Sequence, residues 1–153
     1  MLRRDREMGY EETAAALATG KWGVLSTFDG KSSYGVPVNY FYSHSEKAVF
    51  FHCAPRGMKL DNIRYNRNVS LTVVLHESIV PGKFTTLYKS VIASGKAHII
   101  EDEEEKKKRL KLLCQALDPG SAEKSDECIM KHLSSVAVVR VNIESISGKQ
   151  NSE

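Results

Sequence analysis

The sequence is poor in the features that mark cross-linked, exported or membrane-embedded proteins. Its three cysteines, Cys53, Cys114 and Cys128, are an odd number without CxxC spacing, so we expect reduced thiols and no disulfide framework. No apolar run reaches the roughly 18–20 residues that a membrane-spanning helix needs. Met1–Met8 carries charges of both signs with no apolar segment behind it, unlike a signal peptide. These absences predict a cytoplasmic protein without a membrane partner.

The sequence also lacks a large excess of charge of either sign. The chain has 22 Lys and Arg against 19 Asp and Glu, and a net charge of +3 is too small to indicate nucleic acid. The basic run Lys106–Arg109 follows three glutamates, as expected of a solvated helix face, and no groove-reading motif accompanies it. The histidines lack metal-ligand spacing, and both the Gly-rich dinucleotide fingerprint and the GxxxxGK[ST] loop are missing. The sequence therefore predicts no metal site and no nucleic-acid partner.

The composition that remains is that of an ordinary globular protein. Of 153 residues, 41% are hydrophobic and 27% are charged. This length and balance predict a single domain over residues 1–153, with a short, loose polar tail from about Lys149 to Glu153.

Apolar periodicity and turn signals predict an α+β protein. The predicted helices are Glu11–Gly20, Met58–Tyr65, Asp102–Leu117 and Ala122–His132. The predicted strands are Trp22–Phe28, Tyr34–Tyr42, Ala48–Cys53, Val69–Leu75, Phe84–Ile100 and Val136–Ile146. Most strands are joined by short turns, which favours antiparallel pairing over a parallel sheet. We therefore expect an antiparallel six-stranded β-barrel with flanking helices.

Three positions refine this expectation. Asp29-Gly30 is the two-residue signal of a tight hairpin turn. Pro37 cannot donate to a strand ladder, so it predicts a sheet edge, a bulge or an opening toward a ligand. Gly95, inside the longest predicted strand, indicates a bulge or bend.

The segment from Val49 to Asn62 combines a strand end, a Pro/Gly loop and a helix start with Lys59 in its first turn. A helix start offers free N–H groups and a positive dipole end, so a phosphate can bind there. A lysine at that end is disfavoured unless an anion or solvent compensates it. Taken alone, Lys59 is better explained as an exposed surface lysine.

The chain resembles the FMN-binding split β-barrel proteins related to pyridoxamine 5'-phosphate oxidase, and most closely the nitroimidazole-reductase (Nim) branch. The resemblance extends over nearly the whole chain and rests on the order and spacing of five segments. These are Gly23–Thr27, Tyr34–Tyr40, Phe51–Ala54, Gly57–Asn62 and Tyr88–Gly95.

The resemblance implies a homodimer with FMN, or FAD as the alternative, at the subunit interface, acting on a small-molecule substrate. It assigns cofactor contacts to Pro37, Val38, Asn39, Tyr40, His52, Cys53, Ala54, Lys59, Asn62, Ser90 and Val91. The oxidase branch has Arg-Lys where this chain has Met58-Lys59, and glutamine where it has Ser90. These departures argue against pyridoxamine phosphate as substrate.

His52 is the candidate catalytic residue, because the Nim branch has a histidine at this position beside the flavin. A histidine near neutral pKa can deliver a proton after electron transfer, although a strand-end histidine can also serve packing alone. Cys53 should face the opposite way and be structural or a flavin wall. The resemblance thus implies an FMN-dependent, nitroaromatic-reductase-like oxidoreductase. A pyridoxamine-phosphate-oxidase-type enzyme and a non-catalytic flavin carrier or redox sensor remain alternatives.

Overall fold

Strands supply most of the framework. The computed structural model describes residues 2–152, with residues 121–123 described by their backbone only. Its elements are β1 (Glu7–Met8), α1 (Tyr10–Thr19), β2 (Trp22–Phe28), β3 (Ser33–Asn39), β4 (Phe41–Ser43), β5 (Ala48–Cys53), α2 (Met58–Tyr65), β6 (Asn68–Val80), β7 (Thr85–Ile100), α3 (Glu103–Leu117), α4 (Ser125–His132) and β8 (Ala137–Asn151). Short 3₁₀ helices cover Arg4–Arg6, Pro119–Lys124 and Leu133–Ser135. The predicted α+β class is confirmed.

The strands form one antiparallel sheet in the order β3-β2-β6-β7-β8-β5-β4, with β1 added to β8. The predicted six strands are wrong, because the described residues form eight. The predicted strand Tyr34–Tyr42 is split at Tyr40, whose N–H donates to the carbonyl of Lys21, and Glu7–Met8 adds a further short strand. Within residues 2–152 the sheet is not closed, since β3 and β4 each pair with a single strand.

The two outer strands of this order are nevertheless neighbours along the chain. Tyr40 alone separates β3 from β4, so the sheet must curl until its two edges lie side by side. This arrangement is that of a split barrel. Pro37 lies in β3, which pairs with β2 only, and the edge interpretation of this proline is confirmed.

The carboxy-terminal strand is longer than predicted. β8 continues past Ile146 to Asn151, and its last residues pair with Tyr88–Ser90 of β7. The prediction of a loose tail is therefore wrong for Lys149 to Asn151, because backbone pairing with β7 and β1 holds them; Glu153 lies outside the described residues.

The hairpin after β2 also differs from expectation. Asp29-Gly30 belongs to a four-residue loop, residues 29–32, and not to a two-residue turn. The Asp29 carboxylate accepts hydrogen bonds from the N–H groups of Lys31 and Ser32 and closes this wider loop.

Two apolar clusters lie on opposite sides of the curled sheet. The larger one fills the inside of the curl and includes Leu17, Leu71 and Phe51. A smaller one on the outside joins α3 and α4 to β8 through Leu110, Ile129, Leu133 and Val138. Asp102 caps α3 as predicted, accepting from the N–H of Glu105 at 2.7 Å. None of the described helices is long and apolar enough to span a bilayer.

Candidate functional site

The end of β5 presents different residues to the two sides of the sheet. Cys53 packs against the apolar cluster inside the curl, whereas His52 faces outward toward α3 and α4. This alternation follows from the two-residue period of a strand. The prediction that His52 and Cys53 do not form a catalytic pair agrees with this geometry.

His52 forms one wall of a cavity of about 570 Å³, here called the α3–α4 cavity. It is lined by His52, Leu110, Leu113, Cys114, Leu117, Asp118, Lys124, Ser125, Cys128, Ile129, His132 and Val136. Although His52 as a whole residue stays exposed, burial of its ring against these walls lowers its pKa below the usual value. The imidazole is therefore mostly neutral near pH 7.

The loop after β5 leads into α2. Gly57 has a φ of +131°, a conformation that favours glycine, and its carbonyl accepts from the N–H groups of Leu60 and Asp61. Because Gly57 is the N-cap residue and has no side chain, the first N–H groups of α2 receive no side-chain cap from it. Lys59, half-buried, stands in this first turn.

Lys59 also acts electrostatically on Cys53. Burial raises the pKa of the Cys53 thiol, and the nearby ammonium group of Lys59 partly opposes that rise. The strand end, the loop of residues 54–57 and the start of α2 follow one another along the chain and carry two cationic side chains, Arg56 and Lys59; this segment is here called the β5–α2 cradle. It contains three of the predicted cofactor contacts: Cys53, Ala54 and Lys59.

The predicted contacts on β3 divide between its two faces. Pro37 and Asn39 are exposed, whereas Val38 and Tyr40 are buried. The Tyr40 hydroxyl donates to the carbonyl of Leu17 at 2.6 Å, and burial raises its pKa. Only backbone atoms of Val38 and Tyr40 are then available to a ligand on the outer face.

The remaining predicted contacts lie farther apart. The Asn62 amide is buried and donates to Thr27 at 3.0 Å, which ties α2 to β2. Val91 points into the core, and Ser90 lies on the outer face of β7, two strands from β5 in the sheet order. One chain thus brings Cys53, Ala54 and Lys59 together but does not bring Ser90 beside them.

The residues of α3 and α4 that line the cavity were missed as functional candidates. Leu110, Leu113 and Leu117 have the spacing of a core-facing helix stripe, and all three also line the α3–α4 cavity. The apolar stripe of α3 was the available signal. Periodicity does not distinguish a filled core from an empty pocket.

Comparison with known proteins identifies the family. A family model described as pyridoxamine 5'-phosphate oxidase matches residues 10–150. No curated protein matches the sequence.

Three solved structures illustrate the similarity in fold. A candidate 5-nitroimidazole antibiotic resistance protein from Bacteroides thetaiotaomicron is 21% identical, with a TM-score of 0.74 and coverage of 94% of this chain and 85% of that one. The flavocytochrome Anf3 from Azotobacter vinelandii is 20% identical, with a TM-score of 0.80 and coverage of 96% and 70%. An FAD- and heme-binding protein from Mycobacterium smegmatis is 14% identical, with a TM-score of 0.83 and coverage of 97% and 74%.

At these identities the solved structures establish the fold alone. The family model extends over all elements from α1 to β8, including the β5–α2 cradle and the α3–α4 cavity. The chain belongs to the pyridoxamine 5'-phosphate oxidase family.

Proposed function

We propose that this protein is an FMN-dependent oxidoreductase that passes electrons from a reduced donor to a small acceptor, with nitroaromatic compounds among its acceptors. Flavin is the cofactor of the family, and the similar Mycobacterium smegmatis protein is described as binding FAD. The observation that carries the proposal is the position of His52. It lines the α3–α4 cavity, and the residue after it begins the β5–α2 cradle.

The residues present fit FMN. Its dianionic phosphate suits Lys59 and the uncapped start of α2, where N–H groups and the helix dipole favour an anion. Its flat ring suits the exposed outer surface at Pro37 and Asn39, where backbone can approach closely. Bound there, the cofactor supplies the electron transfer, and the protein supplies binding and orientation.

His52 is proposed to hold the proton that a reduced acceptor needs. Its imidazole lines a mainly apolar cavity, and its protonated fraction rises as the pH falls through its lowered pKa. The His52-dependent part of the rate should therefore increase as the pH is lowered below about 6.5, the ordinary histidine value.

A homodimer is part of the proposal. The outer face of the sheet exposes large apolar side chains on neighbouring strands: Trp22 (55% exposed), Val74 (46%) and Ile92 (48%). Contiguous apolar surface of this kind is uncommon on monomers. A second copy covering it would also place a wall over ligands bound on the outer side of β3 and β7.

Substitution of His52 tests the catalytic role. His52→Phe and His52→Asn should keep FMN but reduce nitroaromatic turnover at least about tenfold, because general acid catalysis contributes ~10²–10⁴. The rise in rate at low pH should disappear in both variants. His44→Phe, in the exposed turn before β5, is the matched control and should behave as wild type.

Flavin absorbance decides between the possible roles. Variants that lose FMN in proportion to activity would make His52 a binding residue. Variants that stay loaded and turn over normally would contradict the catalytic role and favour a flavin carrier.

A further inference from the structure

We infer that the α3–α4 cavity binds neutral, mainly apolar ring compounds, and that such compounds are the substrate class of the oxidoreductase. The second half of this inference rests on the proposed function. The first half concerns binding alone and is tested separately.

The size of the cavity fits a small organic molecule. Its volume of about 570 Å³ lies well inside the range of roughly 300–1,000 Å³ that small-molecule sites occupy. Strand β5 forms one side, and α3 and α4 form the others. A compound of two fused rings with its substituents can be enclosed on three sides.

The side chains that line the cavity disfavour the binding of charged ligands. The surface that the lining presents to the cavity is mainly apolar, and three leucines of α3, Ile129 and Val136 are its aliphatic residues. Of the lining side chains that the structure describes, two are charged, Lys124 and Asp118, and they have opposite signs. A phosphorylated substrate would meet one cation and one anion, which gives no net attraction.

Two titratable side chains of the lining, His52 and Cys114, also favour a neutral ligand. Burial lowers the pKa of His52 and raises the pKa of the Cys114 thiol, so the cavity favours the neutral form of both. A neutral imidazole offers one donor and one acceptor. One polar substituent of an otherwise apolar ligand can therefore pair with His52, while its rings contact the leucines.

The cavity and the β5–α2 cradle meet at the end of β5, on opposite faces of the strand. His52 lines the cavity, and the next residue, Cys53, begins the cradle. A ligand held against His52 is thus close to the strand end at which we place the flavin.

Two compounds of equal ring size test the inference. Calorimetry on the oxidised, FMN-loaded protein at pH 7.5 should show binding of 2-naphthol, which is neutral, and at least tenfold weaker binding of the anion 2-naphthoate. Equal or tighter binding of 2-naphthoate would overturn the selection against charge. If 2-naphthol did not bind at any concentration up to its solubility limit, the proposal that the α3–α4 cavity is a ligand site would be refuted.

Two tryptophan substitutions on α4 locate the site. Cys128→Trp places a large ring at the exposed mouth of the cavity and should weaken 2-naphthol binding at least tenfold. Met130→Trp, on the outward side of the same helix, is the matched control and should not change binding. Unchanged binding in Cys128→Trp would place the ligand elsewhere.

Alkylation of the native protein gives a readout that needs no variant. 2-Naphthol should slow the reaction of Cys114 and Cys128 with iodoacetamide, followed by mass spectrometry, and leave Cys53 unchanged because it faces the other side of the sheet. Equal protection of all three thiols would contradict a local site. A protein that binds 2-naphthol in the cavity but reduces no nitroarene would refute the proposed function and keep the cavity site.

Discussion

At the scale of single residues, position within an element decides what a side chain can do. Lys59 stands in the first turn of α2, where the helix dipole makes a cation unfavourable. A bound phosphate removes this conflict by supplying the negative charge. Under the proposed function, the position of Lys59 at the start of α2 serves phosphate binding.

Lys59→Ala should weaken FMN binding by about 1.5–3 kcal/mol, the range for hydrogen bonds to charged groups. Riboflavin binding should change little, because riboflavin has no phosphate. Fluorescence quenching titrations with both flavins measure the difference. Arg64→Ala is the control, because Arg64 lies at the other end of α2 and pairs with Asp61; it should leave the affinities for FMN and riboflavin unchanged. If Lys59→Ala weakened the binding of both flavins equally, Lys59 would contact the flavin ring or support the fold and would not bind the phosphate.

At the scale of elements, a buried charge network attaches α3 to the sheet. Arg109 is only 4% exposed, and its guanidinium group donates to Glu46 and Glu105 while lying 4.3 Å from the ring centre of Phe50. These contacts hold the pKa of Glu46 below its usual value. The network anchors α3 beside the β4–β5 turn, and α3 in turn forms a wall of the cavity.

The bend of the long β7–β8 pair depends on Gly95. The pairing register shifts between Ser94 and Gly95, which confirms the predicted bulge or bend. A Cβ at Gly95 would lie 1.9 Å from the carbonyl oxygen of Asn142, a contact that backbone atoms cannot relieve cheaply.

Gly95→Ala should therefore lower the free energy of unfolding by about 2 kcal/mol or more, as expected for a forced backbone shift. Urea denaturation measures this difference. Gly35→Ala in edge strand β3 is the matched control, because its Cβ would meet its nearest neighbour at 3.4 Å. If the Gly95→Ala protein had the same free energy of unfolding as the wild type, the backbone of β8 at Asn142 would be able to shift away from the new Cβ.

At the scale of the whole molecule, the exposed outer face of the sheet is the unexplained surface. Ile92 lies in its middle, in a row that runs across the sheet from Pro37 through Val24 and Thr72 to Ile92 and Ser147. Such a row gives a continuous surface across five strands that a second copy can cover by twofold symmetry.

Sedimentation at micromolar concentration should show twice the chain mass of 17.1 kDa. Ile92→Lys should shift the protein toward monomer and lower its FMN content, because a buried unpaired charge opposes association. The Met130→Lys protein, which carries its substitution at an exposed position of α4, should remain a dimer with FMN bound. A wild-type monomer that retains FMN tightly would contradict the interface site.

Local sequence signals determined much of this protein. Alternating apolar residues placed β6, a continuous apolar run placed β5, and Asp102 marked the start of α3, because these features depend on neighbours within a few residues. The opposite directions of His52 and Cys53 followed from strand geometry alone. The family and its flavin followed from the order of short segments along the chain.

Only the tertiary structure decided the rest. The break at Tyr40 depends on a hydrogen bond to Lys21, and the ordering of Lys149 to Asn151 depends on pairing with β7, so neither has a local signature. The α3–α4 cavity has the same origin, because the stripe of leucines on α3 is the same whether a core or a ligand covers it. Whether apolar side chains leave a space between elements is set by how distant segments pack, and the sequence pattern contains no record of that space.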